Sequence, residues 1–388
     1  MARRRKPFGS QWLQQSLNAM TRTALRAGNL AFRQALRHAK AAPKLALPKP
    51  VSLKPKLPAR RRPKPARGPL AALQLAVPKR KAAKRAPSPR TATKRRTAKA
   101  PGWTSGVAIG PAGVRRYHLY KPPGIGRRAP VPLLVMLHGC GQDAAELATT
   151  SRMNRVAAAE RFLVLYPEQD RLSNAQGCWN WFDTRSGRAQ GEAAIIDAAI
   201  EQVCLTQPVD RSRIAIAGLS AGAGMAALLA TRRPQRFRAV AMHSGIAPGL
   251  AHSSATALSA MRGRRKAMLP LPPAASATNW PALLVIQGSA DRVVAAANGD
   301  EAVRQWAAHS RAVAATPRVV QRGARRAATI TDYRSAGRIA ATLCLVEGLG
   351  HAWSGGAANQ PYSDPRGPDA TRMIWRFCAR AFARAAPA

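Results

Sequence analysis

Short apolar runs of four to seven residues recur from residue 133 onward, separated by longer mixed stretches. They are rich in Val, Leu, Ile and Ala and show no polar–apolar alternation. Runs of this length are typical of strands buried on both faces of a sheet, as in parallel sheets covered by helices. We predict strands at residues 133–137, 213–217, 239–242, 282–288 and 342–347.

Helix-forming segments separate several of these strands. Residues 223–230 are small and helix-forming, a further helix is predicted to begin near Asn298, and residues 371–382 form another candidate helix. Strands that alternate with helices in this way predict an α/β fold. We expect a mostly parallel central sheet flanked by helices.

The sequence Gly-Leu-Ser-Ala-Gly at residues 218–222 lies between a predicted strand and a predicted helix. A Gly-x-Ser-x-Gly turn in this position is the nucleophile elbow of the α/β-hydrolase fold, in which glycines permit a close approach of strand and helix. Ser220 is therefore the candidate nucleophile. A glycine-rich turn without chemistry would give the same letters, so the surrounding residues must supply the rest of the site.

The other components of an acyl-transfer site follow in the order that this fold requires. The loop at 138–142 follows a predicted strand and would supply one oxyanion-hole amide, from Cys140, while Ala221 would supply the other. Asp291 follows the strand at 282–288, and His351 follows the strand at 342–347. The chain order Ser, Asp, His is that of α/β-hydrolases.

Two other carboxylates lie near the candidate acid. Asp291 could be an ordinary turn aspartate. Asp300 and Glu301 are poorer candidates because they fall within the helix predicted to begin near Asn298.

Three other histidines compete with His351 for the role of general base. His138 lies in a His-Gly turn and is better suited to bracing the oxyanion loop. His243 follows a strand but precedes the candidate aspartate, and His309 lies in a helical, solvated setting. His351 alone comes late in the chain, after a strand and on a glycine-flanked loop, and we assign it as the base.

Five motifs occur together within residues 103–384, at 138–142, 166–169, 178–182, 218–222 and 350–356. The most specific of them are the strings Cys-Trp-Asn-Trp-Phe and Gly-His-Ala-Trp-Ser-Gly-Gly. With these motifs, residues 103–384 resemble the polyhydroxybutyrate (PHB) depolymerase-type serine esterases, which are related to feruloyl and acetylxylan esterases.

The resemblance implies a catalytic domain with Ser220, Asp291 and His351 as its triad, and a helix from about 191 to 203. It also implies that three tryptophans line the substrate pocket, although they could equally be aromatic packing around the active-site loops. These are Trp179, Trp181 and Trp353. Extracellular depolymerases usually continue into a linker and a polymer-binding domain. Because this chain ends at Ala388, we expect soluble oligomers, amorphous granules or small esters as substrates.

The five cysteines do not identify a redox compartment. Cys140 and Cys178 lie on two loops expected near the active site and are candidates for a disulfide bond. Cys204, Cys344 and Cys378 resemble ordinary buried thiols.

Charge is distributed very unevenly along the chain. Of the 63 Lys and Arg residues, 28 lie within residues 1–100, a stretch without Asp or Glu, so the remainder carries a formal charge of +18 of the total +46. Residues 42–102 are rich in Pro, Ala, Lys and Arg, a composition that predicts a disordered, self-repelling linker. Residues 103–388 are long enough to form the catalytic domain.

Residues 1–41 contain a segment with helical periodicity. Leu13, Leu17, Met20, Ala24 and Ala27 recur at helical spacing in a basic sequence. A basic amphipathic helix suits a membrane, a polyester granule or a partner groove, although a helix without a partner would show the same pattern.

No motif in the sequence calls for a metal or a cofactor. No Cys/His cluster has metal-ligand spacing, and neither a phosphate-binding glycine loop nor a dinucleotide fingerprint occurs. No transmembrane run is present. Residues 11–15 are too polar to continue residues 1–6 as a secretory signal. This favours a cytoplasmic or granule-associated protein, whereas the resembling family is often secreted.

We therefore expect a serine esterase that acts through an acyl-enzyme, most simply on polyhydroxybutyrate or 3-hydroxybutyrate oligomers. A feruloyl or acetylxylan-type esterase is the enzymatic alternative. The non-enzymatic alternative is a protein that binds polyanions or granules through residues 1–100.

Overall fold

The computed structural model describes residues 102–266 and 280–384. The predicted amphipathic segment at 1–41 and the predicted linker at 42–102 lie outside the described residues, except for Gly102. They remain predictions.

The described residues form an α/β-hydrolase fold with a mixed sheet and helices on both of its faces. The strands are β1 (Trp103–Gly110), β2 (Gly113–Tyr120), β3 (Val131–Leu137), β4 (Leu163–Pro167), β5 (Val209–Leu219), β6 (Ala239–His243), β7 (Ala282–Gly288), β8 (Val313–Ala314), β9 (Arg318–Val320), β10 (Ala328–Ser335), β11 (Arg338–Val346), β12 (Trp353–Ser354) and β13 (Ser363–Asp364). The α-helices are α1 (Ala144–Ser151), α2 (Met153–Glu160), α3 (Arg188–Thr206), α4 (Ala221–Arg232), α5 (Ser254–Met261), α6 (Ala297–Ser310) and α7 (Ala370–Ala383).

Six strands at the centre of the sheet are parallel, in the spatial order β4-β3-β5-β6-β7-β11. The predicted parallel core is therefore confirmed. Antiparallel strands extend it at both edges: β1 and β2 beside β4, and β10 with β8 and β9 beside β11. The sequence pattern did not predict these edge strands, because β1, β2 and β10 mix buried and exposed positions and β8 and β9 are short and exposed.

The direction in which successive strands are added across the sheet reverses between β3 and β5. These two strands are neighbours, but the chain passes from β3 to β4 on one side before it returns to β5 on the other. Loops that leave the carboxyl ends of two such strands diverge and open a crevice between them. The loop at 138–142 follows β3 and the turn at Ser220 follows β5, so both lie at this switch point, where such a crevice is expected.

Helices α3, α4 and α6 cover one face of the sheet. Ile196, Ile200, Met225 and Trp306 are almost completely buried there. Full burial of an aliphatic side chain of this size contributes about 2 kcal/mol to folding. This packing fixes α4, and with it the residue that immediately precedes α4.

Helices α1, α2 and α7 cover the opposite face. Leu147, Met153 and Ile374 are buried against the sheet, and Trp375 of α7 stacks on Phe162 with ring centroids 3.7 Å apart. None of the described helices has both the length and the apolar character needed to cross a bilayer.

Candidate active site

Ser220 occupies a strained turn between β5 and α4. Its backbone angles are φ 55° and ψ −118°, a conformation that side-chain-bearing residues rarely adopt. A Cβ atom on Gly218 would meet the backbone of Gly222, and one on Gly222 would meet the carbonyl oxygen of Leu137. Only glycine fits at either position, because strand and helix approach so closely. Strain of this kind costs about 1–3 kcal/mol and is held in place by the surrounding structure.

Backbone hydrogen bonds hold the strained serine. The Ser220 N–H donates to the carbonyl oxygen of His243 at 2.9 Å, which ties the turn to the end of the neighbouring strand β6. The Ser220 carbonyl oxygen accepts from the N–H groups of Ala223 and Gly224 at 3.0 and 3.1 Å. The hydroxyl-bearing side chain is partly exposed at the carboxyl end of the sheet.

Asp291 and His351 form a hydrogen-bonded pair at the same edge of the sheet. They follow β7 and β11, and His351 Nδ1 lies 2.8 Å from Asp291 Oδ2. Asp291 Oδ1 also accepts from the N–H groups of Val293 and Val294 at 2.9 and 2.8 Å. Burial alone would raise the pKa of Asp291, but hydrogen bonds from His351 and these two amides outweigh it and lower the pKa below its ordinary value.

The charge state of Asp291 determines which nitrogen of His351 carries the proton. An ionised carboxylate only accepts hydrogen bonds, so Nδ1 of His351 donates to it. The Nε2 atom of a neutral His351 is then left with its lone pair, which is the form that can accept a proton from a hydroxyl group.

The competing carboxylates lie elsewhere. Asp300 and Glu301 are in the first two turns of α6, as the sequence indicated. Asp300 is exposed, and Glu301 forms an ion pair with Arg304, with an N–O distance of 2.6 Å.

Two of the competing histidines, His138 and His309, make contacts that belong to the packing of the fold. His138 is buried, accepts a hydrogen bond from the Gln169 N–H at Nε2 (3.0 Å), and approaches the Gly139 carbonyl oxygen through Nδ1 (2.9 Å). Burial lowers the pKa of His138. His309 lies in the last turn of α6 and stacks on Trp280, with ring centroids 4.1 Å apart.

His243 joins the serine turn to the histidine loop. Besides accepting from Ser220 through its carbonyl oxygen, it accepts from the Ser354 N–H at Nε2 (3.0 Å) and stacks on Trp353 (centroids 5.1 Å apart). Burial, with a smaller contribution from His351, lowers the pKa of His243 to about 3, so it remains a neutral acceptor.

The loop after β3 carries the candidate oxyanion donor Cys140. Cys140 is bonded to Cys178 in a disulfide, and the Gly141 N–H donates to the Gln176 carbonyl oxygen at 2.9 Å. Among the described residues, no acceptor engages the Cys140 N–H. The N–H of Ala221, the first residue of α4, has no intrahelical acceptor because of its position. Two unengaged amides therefore lie at the carboxyl ends of β3 and β5, one on the loop after β3 and one at the start of α4.

A buried polar cluster, which the sequence did not reveal, supports this loop. Glu192 of α3 is fully buried and accepts from the Nδ2 of Asn180 at 2.6 Å and from the Nε2 of Gln169 at 2.8 Å. Arg115 donates to Gln169 Oε1 at 2.7 Å and lies 3.5 Å from Glu192. The Gln169 backbone N–H in turn donates to His138. Gln169 and Asn180 lie within the motifs at 166–169 and 178–182, which was the available sequence signal.

The three tryptophans assigned to a pocket have different surroundings. Trp353 is fully buried in the α7 side of the core and donates to Thr371 Oγ1 at 3.0 Å, and Trp179 is fully buried with its ring 5.5 Å from that of His138. These contacts favour the packing interpretation for both residues. Trp181 is buried apart from a small exposed fraction, and its ring lies edge-on to that of Phe182 with centroids 5.6 Å apart. It lies beside Gly224 of α4, where an added Cβ atom would come within 3.1 Å of its ring.

The described residues include no candidate metal site. Within residues 102–266 and 280–384, no three His, Cys, Asp or Glu side chains come together in a way that would hold a metal ion.

Comparison with known proteins places these features in a family. The family model of esterase PHB depolymerase matches residues 115–333. Poly(3-hydroxyalkanoate) depolymerase C of Paucimonas lemoignei is 33% identical over 201 residues, covering 48% of this chain and 47% of that protein. Feruloyl esterase B of Neurospora crassa is 30% identical over 139 residues, covering 35% of this chain and 46% of that protein.

The chain thus spans about half the length of the curated relatives it matches. Among solved structures, acetyl xylan esterase from Aspergillus awamori superposes with a TM-score of 0.54 at 17% identity, covering 71% of this chain and 99% of that one. At 17% sequence identity, this similarity shows a shared fold and nothing further.

Proposed function

This chain belongs to the esterase PHB depolymerase family, and from that premise we propose that it hydrolyses carboxylic esters with Ser220 as nucleophile. The observation that carries the proposal is the 2.8 Å pair of His351 with the buried, ionised Asp291, at the same sheet edge as the strained Ser220. A nucleophile, a base and a group that orients the base are the parts that covalent acyl transfer needs.

The first half-reaction forms an acyl-enzyme. Nε2 of His351 takes the hydroxyl proton as Ser220 Oγ attacks the ester carbonyl carbon, and Asp291 stabilises the imidazolium that results. The tetrahedral intermediate collapses when His351 gives this proton to the leaving alkoxide. The alcohol leaves, and the acyl group remains on Ser220.

The second half-reaction returns the enzyme to its starting state. His351 removes a proton from water, which attacks the acyl carbonyl, and then gives the proton back to Ser220 Oγ as the acid is released. In both half-reactions the amides of Cys140 and Ala221 would donate to the oxyanion. Each well-placed donor lowers the barrier by about 3 kcal/mol.

The buried cluster around Glu192 supports this proposal because it holds both of the loops that the Cys140–Cys178 disulfide joins. It binds Asn180 on one loop and, through Gln169, the ring of His138, the first residue of the other loop. A loop fixed in this way keeps the Cys140 amide in place before any charge develops, which is the condition for efficient electrostatic stabilisation.

We favour polyhydroxybutyrate or 3-hydroxybutyrate oligomers as the substrate, since the poly(3-hydroxyalkanoate) depolymerase is the most identical of the relatives described above. A feruloyl or acetylxylan-type esterase is the second candidate, favoured by the similarity to feruloyl esterase B and by the fold of acetyl xylan esterase. Binding of granules or anionic polymers through residues 1–100 is a separate proposal, compatible with either activity.

A hydrolysis screen of the full chain distinguishes these substrates. It should include 3-hydroxybutyrate oligomers, amorphous polymer, feruloyl esters, acetylated xylan and p-nitrophenyl esters of graded length, with the Ser220→Ala variant as the blank. We expect the highest kcat/KM on hydroxybutyrate oligomers. A preference for feruloyl or acetyl esters would select the second candidate, and absence of Ser220-dependent hydrolysis on every ester would refute the proposal.

A further inference from the structure

A cleft of about 570 Å³ lies between α7 and the edge strands β9 and β10, on the face of the sheet that α7 covers. Its floor is apolar and includes Ala328, Ile330 and Met373. Six arginines line its walls: Arg318, Arg322, Arg325, Arg326, Arg372 and Arg376. The cleft contains none of the residues proposed for catalysis.

Carboxylates neutralise only part of this charge. Ion pairs join Arg318 to Asp332 at 2.9 Å, Arg326 to Asp364 at 2.8 Å and Arg372 to Asp369 at 3.6 Å. Counting all three carboxylates, the six arginines keep a surplus of three positive charges. Two of these carboxylates are also shared with arginines outside the cleft, Arg334 and Arg366.

Two of the arginines are available to a ligand. In the part of the chain that the structure describes, no hydrogen bond or ion pair engages the guanidinium groups of Arg322 and Arg376, and both residues are exposed. They come from opposite walls of the cleft, Arg322 from the connection between β9 and β10 and Arg376 from α7. An anion between the walls could therefore contact both of them.

The positive charge continues out of the cleft along α7. Arg372, Arg376 and Arg380 of α7 and Arg384, the residue directly after it, follow one another at intervals of four residues, and all four are exposed. Residues four apart lie on the same side of a helix, with a rise of about 6 Å between them. A row of this kind suits an extended anion better than a single small one.

The lining also limits the chemistry of the anion. Arginine forks bind phosphate and carboxylate oxygens in pairs, and a dense cluster of them requires a ligand with closely spaced charges. Single-stranded nucleic acids are usually held by stacking of bases on aromatic side chains. Among the described residues that line the cleft, none is aromatic. This favours a phosphate chain without bases.

We propose that the cleft between α7 and the β9–β10 edge binds a linear polyphosphate, whose phosphate groups bridge Arg322 and Arg376 and then follow the α7 arginines. The site is separate from the ester chemistry proposed above, because none of the residues proposed for catalysis lines the cleft.

The test uses the full chain and the reactivity of arginine toward phenylglyoxal. Residues 1–100 carry 28 basic residues and would attract any polyanion, so total binding alone would not locate the site. Modification is therefore measured residue by residue by peptide mass spectrometry, with and without inorganic polyphosphate. The internal control is Arg127 and Arg128, which are exposed between β2 and β3, at the opposite edge of the sheet.

We expect polyphosphate to slow modification of Arg322 and Arg376 at least about fivefold, and that of Arg127 and Arg128 less than about twofold, because bound phosphate occupies the guanidinium donors. Equal protection of both pairs, or no protection of the cleft pair, would overturn the site. Oligothymidylate and polyglutamate are compared at equal charge concentration. If either protects the cleft pair as well as polyphosphate does, the assignment to a phosphate chain is wrong.

A charge-matched pair of variants gives a second measurement. We expect Arg322→Gln/Arg376→Gln to raise about tenfold the polyphosphate concentration that protects Arg380 of α7 from phenylglyoxal, whereas Arg127→Gln/Arg128→Gln should change it by less than about twofold, since both remove two charges but only one removes cleft donors. Equal effects of the two double variants would assign the binding to overall charge and contradict the cleft.

Discussion

Asp291 illustrates how much of the proposed chemistry rests on a single side chain. It is buried, accepts hydrogen bonds from Val293 and Val294, and pairs with His351. An amide in its place would retain the shape but could donate to Nδ1, which would stabilise the wrong tautomer of His351. We expect Asp291→Asn to lower kcat about ten-thousand-fold, as the corresponding change does in a serine protease.

Steady-state kinetics on a soluble ester measure this effect, with Asp300→Asn as the matched control. Asp300 is exposed on α6, so its substitution should leave kcat close to that of the wild type. A small loss at Asp291 together with a large loss at Asp300 or Glu301 would reassign the acid.

His243 gives the folded protein a specific sensitivity to acid. Burial lowers its pKa to about 3, whereas an unfolded histidine titrates near 6.5. Below that pH the unfolded chain takes up a proton that the folded chain does not, so stability must fall as the pH falls. From pH 7 to pH 5 the loss due to His243 is about 2 kcal/mol, and burial of His138 acts in the same direction.

Urea unfolding at several pH values between 7 and 5 tests this expectation. The variant His243→Gln should lose less stability over this range than the wild type, while His252→Gln, a change at a partly exposed histidine, should behave like the wild type. A free energy of unfolding that stays constant from pH 7 to pH 5 would show that the folded state does accept these protons.

At the level of single residues, the sequence predicted the histidine–aspartate pair because each residue directly follows an apolar strand. It did not predict the Glu192 cluster. Arg115, Gln169, Asn180 and Glu192 come from four separate segments, and no local pattern indicates that such side chains will be buried together. The tryptophans were ambiguous for a related reason, since aromatic residues pack into cores and line pockets with equal ease.

At the level of elements, helix α3 is tied to the loops of the crevice by one carboxylate. Glu192 accepts hydrogen bonds from Gln169 and Asn180 and balances the buried Arg115. Removing one partner from a buried charged cluster leaves the others uncompensated, which costs about 3–5 kcal/mol. We expect Glu192→Ala to lose stability of that size and to lower kcat more than it changes KM.

The matched control is Glu160→Ala at the end of α2, where the glutamate is exposed. It should change the free energy of unfolding by less than about 0.5 kcal/mol, as is usual for surface sites. Denaturant titration and kinetics on both variants give the comparison. Equal stability of the two would mean that the cluster around Glu192 does not support the loops.

Five of the six central parallel strands were predicted from the sequence, whereas the sixth, the fully buried β4, was not. The helix expected at 223–230 is α4 (Ala221–Arg232), and that expected at 371–382 is α7 (Ala370–Ala383). The hairpin of β1 and β2 and the strands β8 to β10 were missed. Such edge strands are covered on one side only, and their mixed composition resembles that of loops.

At the level of the whole molecule, the proposed catalytic residues all lie beyond residue 101. We therefore expect a chain lacking residues 1–100 to keep kcat/KM on a small soluble ester within about threefold of the wild type, because a remote charged segment affects small neutral substrates little. Loss of this activity in a well-folded truncated protein would mean that the first hundred residues belong to the catalytic domain.

The same deletion should weaken binding to granules or anionic polymers, since it removes 28 basic residues. The salt dependence of this binding shows whether charge or apolar contact is responsible for it. Binding that falls steeply as salt is raised would indicate charge. Binding that persists at high salt would indicate contacts of the apolar side chains Trp12, Leu13, Leu17 and Phe32 with an apolar surface.

The central claim is that Ser220 forms the covalent acyl-enzyme, and active-site labelling with a fluorophosphonate followed by peptide mapping tests it most directly. We expect one adduct per chain, located on Ser220, absent from Ser220→Ala and formed far more slowly in His351→Ala, because the reagent needs the hydroxyl activated by its base. An adduct on any other residue, or undiminished labelling of Ser220→Ala, would contradict the assignment.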